Sequence, residues 1–177
     1  FMERLEPFTN IRFMDWGQTN NSPLTAWSDR TTPASNTQAK GNGVALEYMV
    51  ALANTTDKDI WICIPHAADD TYIREAAMFL RDQLNPALKI YIEYSNETWN
   101  SLFSQTTYVQ DQGEALALSS NRWEAGQRFA ALRSIQMWDI FEQEFVDDSR
   151  LEKILATQSA GSSTTDMRVA MINDPDF

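Results

Sequence analysis

The chain is expected to be an α/β protein of parallel βα units, and three observations predict it. Short apolar segments alternate with longer segments of helical period four times along the 177 residues. One of the short segments, DIWICI at 59–64, is apolar almost throughout, as expected of a strand covered on both faces. The long polar connections all follow strands, so they gather at the end of the sheet where α/β proteins bind ligands.

Residues 10–15, NIRFMD, give the first strand. Arg12 lies inside it, and a charge there is costly unless paired. A polar connection runs from Trp16 to about Lys40, carrying Gln18, Asn20, Asn21, Trp27 and Arg30. A loop of this length in a compact domain is either functional or disordered, and its two tryptophans favour an ordered one. Trp16 and Trp27 either pack the loop onto the domain or present their rings to a ligand.

The first helix is expected over 42–53, where Val44, Tyr48, Ala51 and Leu52 keep helical spacing and Asn42 serves as N-cap. The strand at 59–64 ends at Pro65-His66. Asp69 or Asp70 then caps a helix to Leu84 with the stripe Ile73, Ala76, Ala77, Leu80, Leu84. The third strand lies in KIYIEYSNETWN, 89–100, where Ile90, Tyr91 and Ile92 favour a pleated strand. A loop is predicted from Thr98 to about Asn121, with a helical turn near Tyr108 or Ala115. The longest helix follows at 122–146, with Ala131, Ile135, Trp138, Phe141 and Phe145 on its apolar face. A fourth strand is expected at 151–158, a loop at Gly161-Ser162-Ser163, and a last helix at 165–172, broken by Asp174-Pro175.

Two architectures fit this order: an open doubly wound sheet or a stretch of a (β/α)8 barrel. No glycine-rich phosphate loop follows a strand, which removes the usual support for a nucleotide-binding sheet. Gly41-Asn42-Gly43 precedes a helix without directly following a strand and is taken as the start of that helix.

Composition narrows the function classes. Apolar residues make up 43% of the chain, which reads as globular. Acidic residues outnumber basic ones 25 to 14, for a net charge of -11. That balance argues against a nucleic-acid partner, because phosphate contacts need clustered Lys and Arg. Neutral polysaccharides remain compatible with such a surface. The apolar runs are short of a membrane span, no signal-peptide pattern opens the chain, and Phe1-Met2-Glu3-Arg4 reads as a processed or trimmed start. One histidine and one cysteine leave no metal site to expect, and no cofactor is predicted. Cys63, inside an apolar strand, is expected to be a buried thiol.

The residues at the third strand's tip carry the chemistry. Glu97 stands where the strand runs out, either facing a ligand crevice or capping a loop or pairing with an arginine. The run Ser95-Asn96-Glu97-Thr98-Trp99-Asn100 resembles the fourth-strand motif of the retaining glycoside hydrolases built on a TIM barrel, the superfamily that includes cellulases, mannanases and β-glucanases. The resemblance implies that Glu97 is the general acid/base and that Asn96, beside it, holds the sugar 2-hydroxyl. It implies further that this chain is part of a TIM (β/α)8 barrel, about strands 2–5: a single partial domain over 1–177 and a fragment of a larger catalytic domain, since a full barrel needs about 200 to 250 residues or more.

The nucleophile of that superfamily comes from strand seven, so no residue of this chain takes that role. Glu93 lies four residues before Glu97, roughly 13 Å deeper in the strand, and is expected to pair with Arg12. Arg12 also resembles the strand-two arginine that supports the nucleophile. His66, Trp16, Trp27, Trp99 and Asn20 are the expected sugar contacts, with Phe103 a further ring; aromatic faces lie against the C–H face of a pyranose, and His66 either meets a sugar hydroxyl or a catalytic carboxylate or is a loop histidine bonded to backbone. Trp61 and Trp138 are assigned to the core. The expected partners are a polysaccharide or oligosaccharide and the remaining half of the barrel, from further sequence or another chain. The expected location is extracellular. The competing reading is a non-catalytic glycan-binding module of a larger assembly, and a third is an unrelated α/β enzyme.

Overall fold

The computed structural model describes residues 1–38 and 41–174. Its centre is one parallel four-stranded sheet in the order β1 (Asn10–Arg12), β2 (Asp59–Ile64), β3 (Ile90–Tyr94), β4 (Leu151–Ile154). The helices are α1 (Leu46–Thr56) between β1 and β2, α2 (Asp70–Gln83) between β2 and β3, α3 (Ser104–Ala115) and α4 (Arg122–Glu144) between β3 and β4, and α5 (Ser162–Ile172) after β4. Spatial order equals chain order. A doubly wound sheet reverses its order partway to put helices on both faces; the described strands show no reversal.

Alternation along the strands explains which face is covered. Ile60, Ile62 and Ile64 of β2 and Ile90, Ile92 and Tyr94 of β3 are buried. They form one core with Met49 and Val50 of α1, Ile73 and Leu80 of α2, and Met137, Trp138 and Phe141 of α4. The opposite parity places Arg12, Trp61, Tyr91 and Glu152 side by side across the four strands, with Cys63, Glu93 and Ile154 in the next row. Trp61, Cys63 and Tyr91 are half-buried there and Arg12 is exposed, while the helix residues of the core pack against the other face. Trp61 therefore belongs to the open face and not to the core; Trp138 is in the core, as expected.

Local chemistry shifts several boundaries. The first strand stops at Arg12 because the chain turns at once, with Gly17 N–H donating to Phe13 O. Asn42 does not cap α1, which begins four residues later after Ala45. Its side-chain amide donates to Asp29 O instead. Gly43 has φ +79, and a Cβ there would come within 2.5 Å of Trp16 O, so this segment is a tight passage beneath the first loop. Asp69, not Asp70, caps α2, accepting from Tyr72 N–H at 2.6 Å; Asp70 pairs with Arg133.

The largest departure is α3, twelve residues long where only a helical turn is expected. Its buried positions are Gln105, Thr106, Val109 and Gly113, too polar and too small to show an apolar period. It packs against α4, which Asn121 caps by accepting from Glu124 N–H. The fourth strand is shorter than expected, ending at Ile154, and α5 begins at Ser162 instead of Thr165. Lys40 at the end of the first loop and Pro175 after α5 lie outside the described residues. No helix among the described residues is long and apolar enough to cross a membrane.

Candidate active site

The tip of β3 is held in an unusual backbone conformation. Ser95 and Glu97 have φ of 56° and 41°, in the left-handed region, on either side of Asn96. Neither residue type favours that region, and each such position costs about 1 to 3 kcal/mol unless its surroundings enforce it. Backbone strain of this kind gathers at functional sites. The two turns send neighbouring side chains in different directions.

Asn96 points into a buried polar network on the open side of the sheet. Its Oδ1 accepts from Arg12 Nη2 at 3.0 Å and its Nδ2 donates to Asn20 Oδ1 at 2.9 Å. Gln105 of α3 donates to Asn20 Oδ1 at 2.7 Å and to the Asn96 carbonyl at 2.8 Å, while its own Oε1 accepts from Asn21 N–H. Arg12 continues the network to Glu93, through Nε at 3.1 Å and Nη2 at 2.7 Å. Glu93 is 2% exposed and also accepts from Trp61 Nε1 at 2.8 Å and Cys63 Sγ at 3.3 Å. Burial, and then the Glu93 charge, push the Cys63 thiol well above its ordinary range, so it stays protonated and donates. The Arg12–Glu93 pair expected from the sequence is present. The bond between the Asn96 and Asn20 amides was not foreseen.

Glu97 points into an open groove of about 520 Å³ between the loops that follow β3 and β4. Trp99, Asn100 and Ser101 form one wall and Thr157, Gln158 and Ser159 the other. Asn100 Nδ2 donates to Glu97 Oε2 at 2.8 Å, and Asn100 N–H donates to the Glu97 carbonyl at 2.8 Å. This fixes one carboxylate oxygen. Among the described residues Glu97 is the one carboxylate lining this groove.

The other expected sugar contacts stand elsewhere. His66 is at the same end of the sheet as Glu97, since Ser95 N–H donates to Ile64 O and Tyr94 Oη donates to His66 O, both at 2.8 Å. Its ring, however, is buried edge-on to Tyr108 of α3 and does not line the groove. Burial lowers the pKa of His66 and keeps it neutral, and its Nδ1 has no hydrogen-bond partner. Trp16 is 39% exposed and leans on Phe13. Trp27 packs on Tyr72 with the Arg30 guanidinium 4.1 Å above its ring. Neither tryptophan reaches the groove, so the common pocket expected for Glu97, His66 and one of them is not formed. Phe103 precedes α3 as its N-cap residue. A more enclosed cavity of about 50 Å³, lined by Phe13, Leu24, Met49, Ile62 and Tyr72, contains none of the expected site residues.

Sequence reading missed Gln105, Asn100 and the groove's second wall. The spacing Asn-Glu-x-x-Asn made Asn100 findable, as a local partner three residues on. Gln105 and Gln158 gave no signal, because their roles depend on tertiary placement. Among the described residues no cluster of three His, Cys, Asp or Glu side chains stands close enough to hold a metal ion. Comparison with protein-family models, with curated proteins and with solved structures finds no match.

Proposed function

We propose that this chain is the acid/base-bearing part of a glycoside hydrolase-like domain acting on a β-linked polysaccharide, and that its sheet corresponds to about strands 2–5 of a (β/α)8 barrel. One observation supports this reading above the others. Glu97 emerges from a strained strand tip at the C-terminal end of a parallel sheet, one oxygen held by Asn100, in an open groove beside Trp99 and next to the locked amide of Asn96. The sequential strand order and the helices on one face agree with a singly wound barrel.

In this reading Glu97 protonates the glycosidic oxygen as the bond breaks, then takes a proton from the incoming water. Asn100 orients the carboxyl by occupying one oxygen and leaving the other to the substrate. Trp99 offers a ring to the sugar, and Asn100, Ser101, Thr157, Gln158 and Ser159 offer hydroxyl and amide partners. Asn96, expected to hold the sugar 2-hydroxyl, does not line the groove: its Oδ1 is taken by Arg12 and one amide hydrogen by Asn20, so its part is to hold the strand tip that presents Glu97. The second carboxylate, about 5 to 5.5 Å from the first in a retaining enzyme, comes from an element that covers the open face of the sheet, in further sequence or another chain. The location that fits a polysaccharide substrate is extracellular.

Glu97→Gln in the complete protein should lower the release of reducing ends from β-glucan, xylan or mannan by about 10²- to 10⁴-fold. Undiminished activity of that variant on polysaccharide would overturn the assignment. The single carboxylate lining the groove favours a second reading, a glycan-binding module without turnover. In that case the assembled protein binds an oligosaccharide, releases no reducing ends, and binds equally well as Glu97→Gln.

A further inference from the structure

Arg168 of α5 is a buried cation with no carboxylate in contact. It is 3% exposed, and no ion pair to it exists among the described residues. Its partners are neutral and come from three elements. Nε and Nη2 donate to Gln127 Oε1 of α4 at 3.1 and 2.7 Å, Nη1 donates to the carbonyl of Ala156 beyond β4, and Nη2 donates to Thr98 Oγ1 beyond β3 at 2.5 Å. The guanidinium carbon lies 5.2 Å from the centre of the Trp99 ring. Burial pulls its pKa down to about 10, so it remains charged at neutral pH.

Burying a charge with no carboxylate in contact is expensive, Glu93 acting on this one only from a distance, and an apolar side chain of similar volume packs such a place at less cost. A structural role alone therefore does not account for an arginine here. What the guanidinium supplies is a planar fork that serves several acceptors at once, which an ammonium on a flexible stem does not reproduce. Two of those acceptors are decisive. Thr98 directly follows Glu97, and Ala156 directly precedes Thr157, the first residue of the opposite wall. One side chain ties the two walls of the groove together and supports the Trp99 ring.

We propose that Arg168 is the positioning residue of this site, setting the separation of the two groove walls and the placement of Glu97 and Trp99. Its effect on turnover rests on the reading of Glu97 as acid/base; its effect on the groove does not.

The test uses the complete protein labelled with 5-fluorotryptophan, with Trp99→Phe and Trp138→Phe assigning the two fluorine resonances that are compared. Arg168→Ala is compared with Arg168→Lys, each with and without guanidinium at a sub-denaturing concentration. The expected result is that the Trp99 resonance moves in Arg168→Ala while the core Trp138 resonance stays, and that guanidinium returns it. Arg168→Lys leaves Trp99 displaced, because one ammonium does not span the three acceptors. If Arg168→Ala does not fold, Arg168→Lys carries the test alone: its Trp99 resonance must move. A folded variant with an unmoved Trp99 resonance, or resonances that all move together, overturns the proposal.

In a hydrolysis assay kcat should fall about 10²-fold, as for a reacting group displaced by about an ångström, with KM changed less, and guanidinium should restore kcat in Arg168→Ala. If the wild-type protein hydrolyses none of β-glucan, xylan and mannan, the proposed function fails and the fluorine spectra still decide the role of Arg168.

Discussion

Glu93 accepts hydrogen bonds from Arg12, Trp61 and Cys63 while almost wholly buried. Replacing it by Gln leaves the Arg12 cation without its partner. Breaking a buried pair costs about 3 to 5 kcal/mol, and the lower end applies because a third of the Arg12 side chain is exposed. Urea unfolding of Glu93→Gln should show a loss of about 3 kcal/mol; an unchanged midpoint would mean that the pair contributes nothing. His66 gives a pH dependence. Its folded pKa lies below the ordinary 6.5. Below pH 6.5 the unfolded chain takes up a proton that the folded chain refuses, so this contribution to stability is complete above 6.5 and is lost as pH falls towards the folded value. The melting temperature of the wild type should drop more steeply than that of His66→Gln between about pH 6.5 and 5; parallel curves would refute the assignment. The ion pair was legible in the sequence because two charges inside neighbouring strands have few ways to be satisfied. The Asn20–Asn96–Gln105 network was legible only in part, since neutral amides bond to many partners and Gln105 had no helix to place it.

At the scale of elements, α3 and α4 show how a helix escapes a periodicity reading. Their contact is made by the absence of side chains: a Cβ on Gly113 would lie 2.2 Å from Ala125 O, and one on Gly126 would lie 2.9 Å from Gln110 Cγ. Glycine has no apolar signature, so the helix that brings Gln105 to the site was expected as a loop. In contrast α2, with a capping aspartate and an unbroken apolar stripe, was placed almost to the residue. Gly113→Ala separates these cases. In an exposed helix such a change stabilises by about 1 kcal/mol. Here the clash is with backbone, which cannot swing aside, so the helices must part, and a loss of about 1 to 3 kcal/mol is expected. Calorimetry giving a raised melting temperature would show that the crossing is looser than described.

For the whole molecule the open face of the sheet is the main unsolved burial. Wholly parallel sheets are found with both faces covered, and here helices cover one. Across the other run Arg12, Trp61, Tyr91 and Glu152, with Trp61 stacked on Tyr91 at 5.7 Å and the Arg12 guanidinium 5.1 Å from the Trp61 ring. Two ion pairs lie on this face, Arg12 with Glu93 and Lys89 with Glu152. Among the described residues strands β1 and β4 also leave two unpaired edges, which invite pairing with further strands. In the proposed barrel those strands bring the second carboxylate, so association and catalysis share a cause. The 177-residue chain alone should therefore associate as its concentration rises and should release no reducing ends from β-glucan, xylan or mannan. Tyr91→Lys places an unpaired charge on the open face and should shift it towards monomer. Light scattering across a dilution series checks both. A wild-type chain that stays monomeric at high concentration, or hydrolyses a glycan by itself, would show that the sheet is complete as it stands and that the second carboxylate lies within these residues.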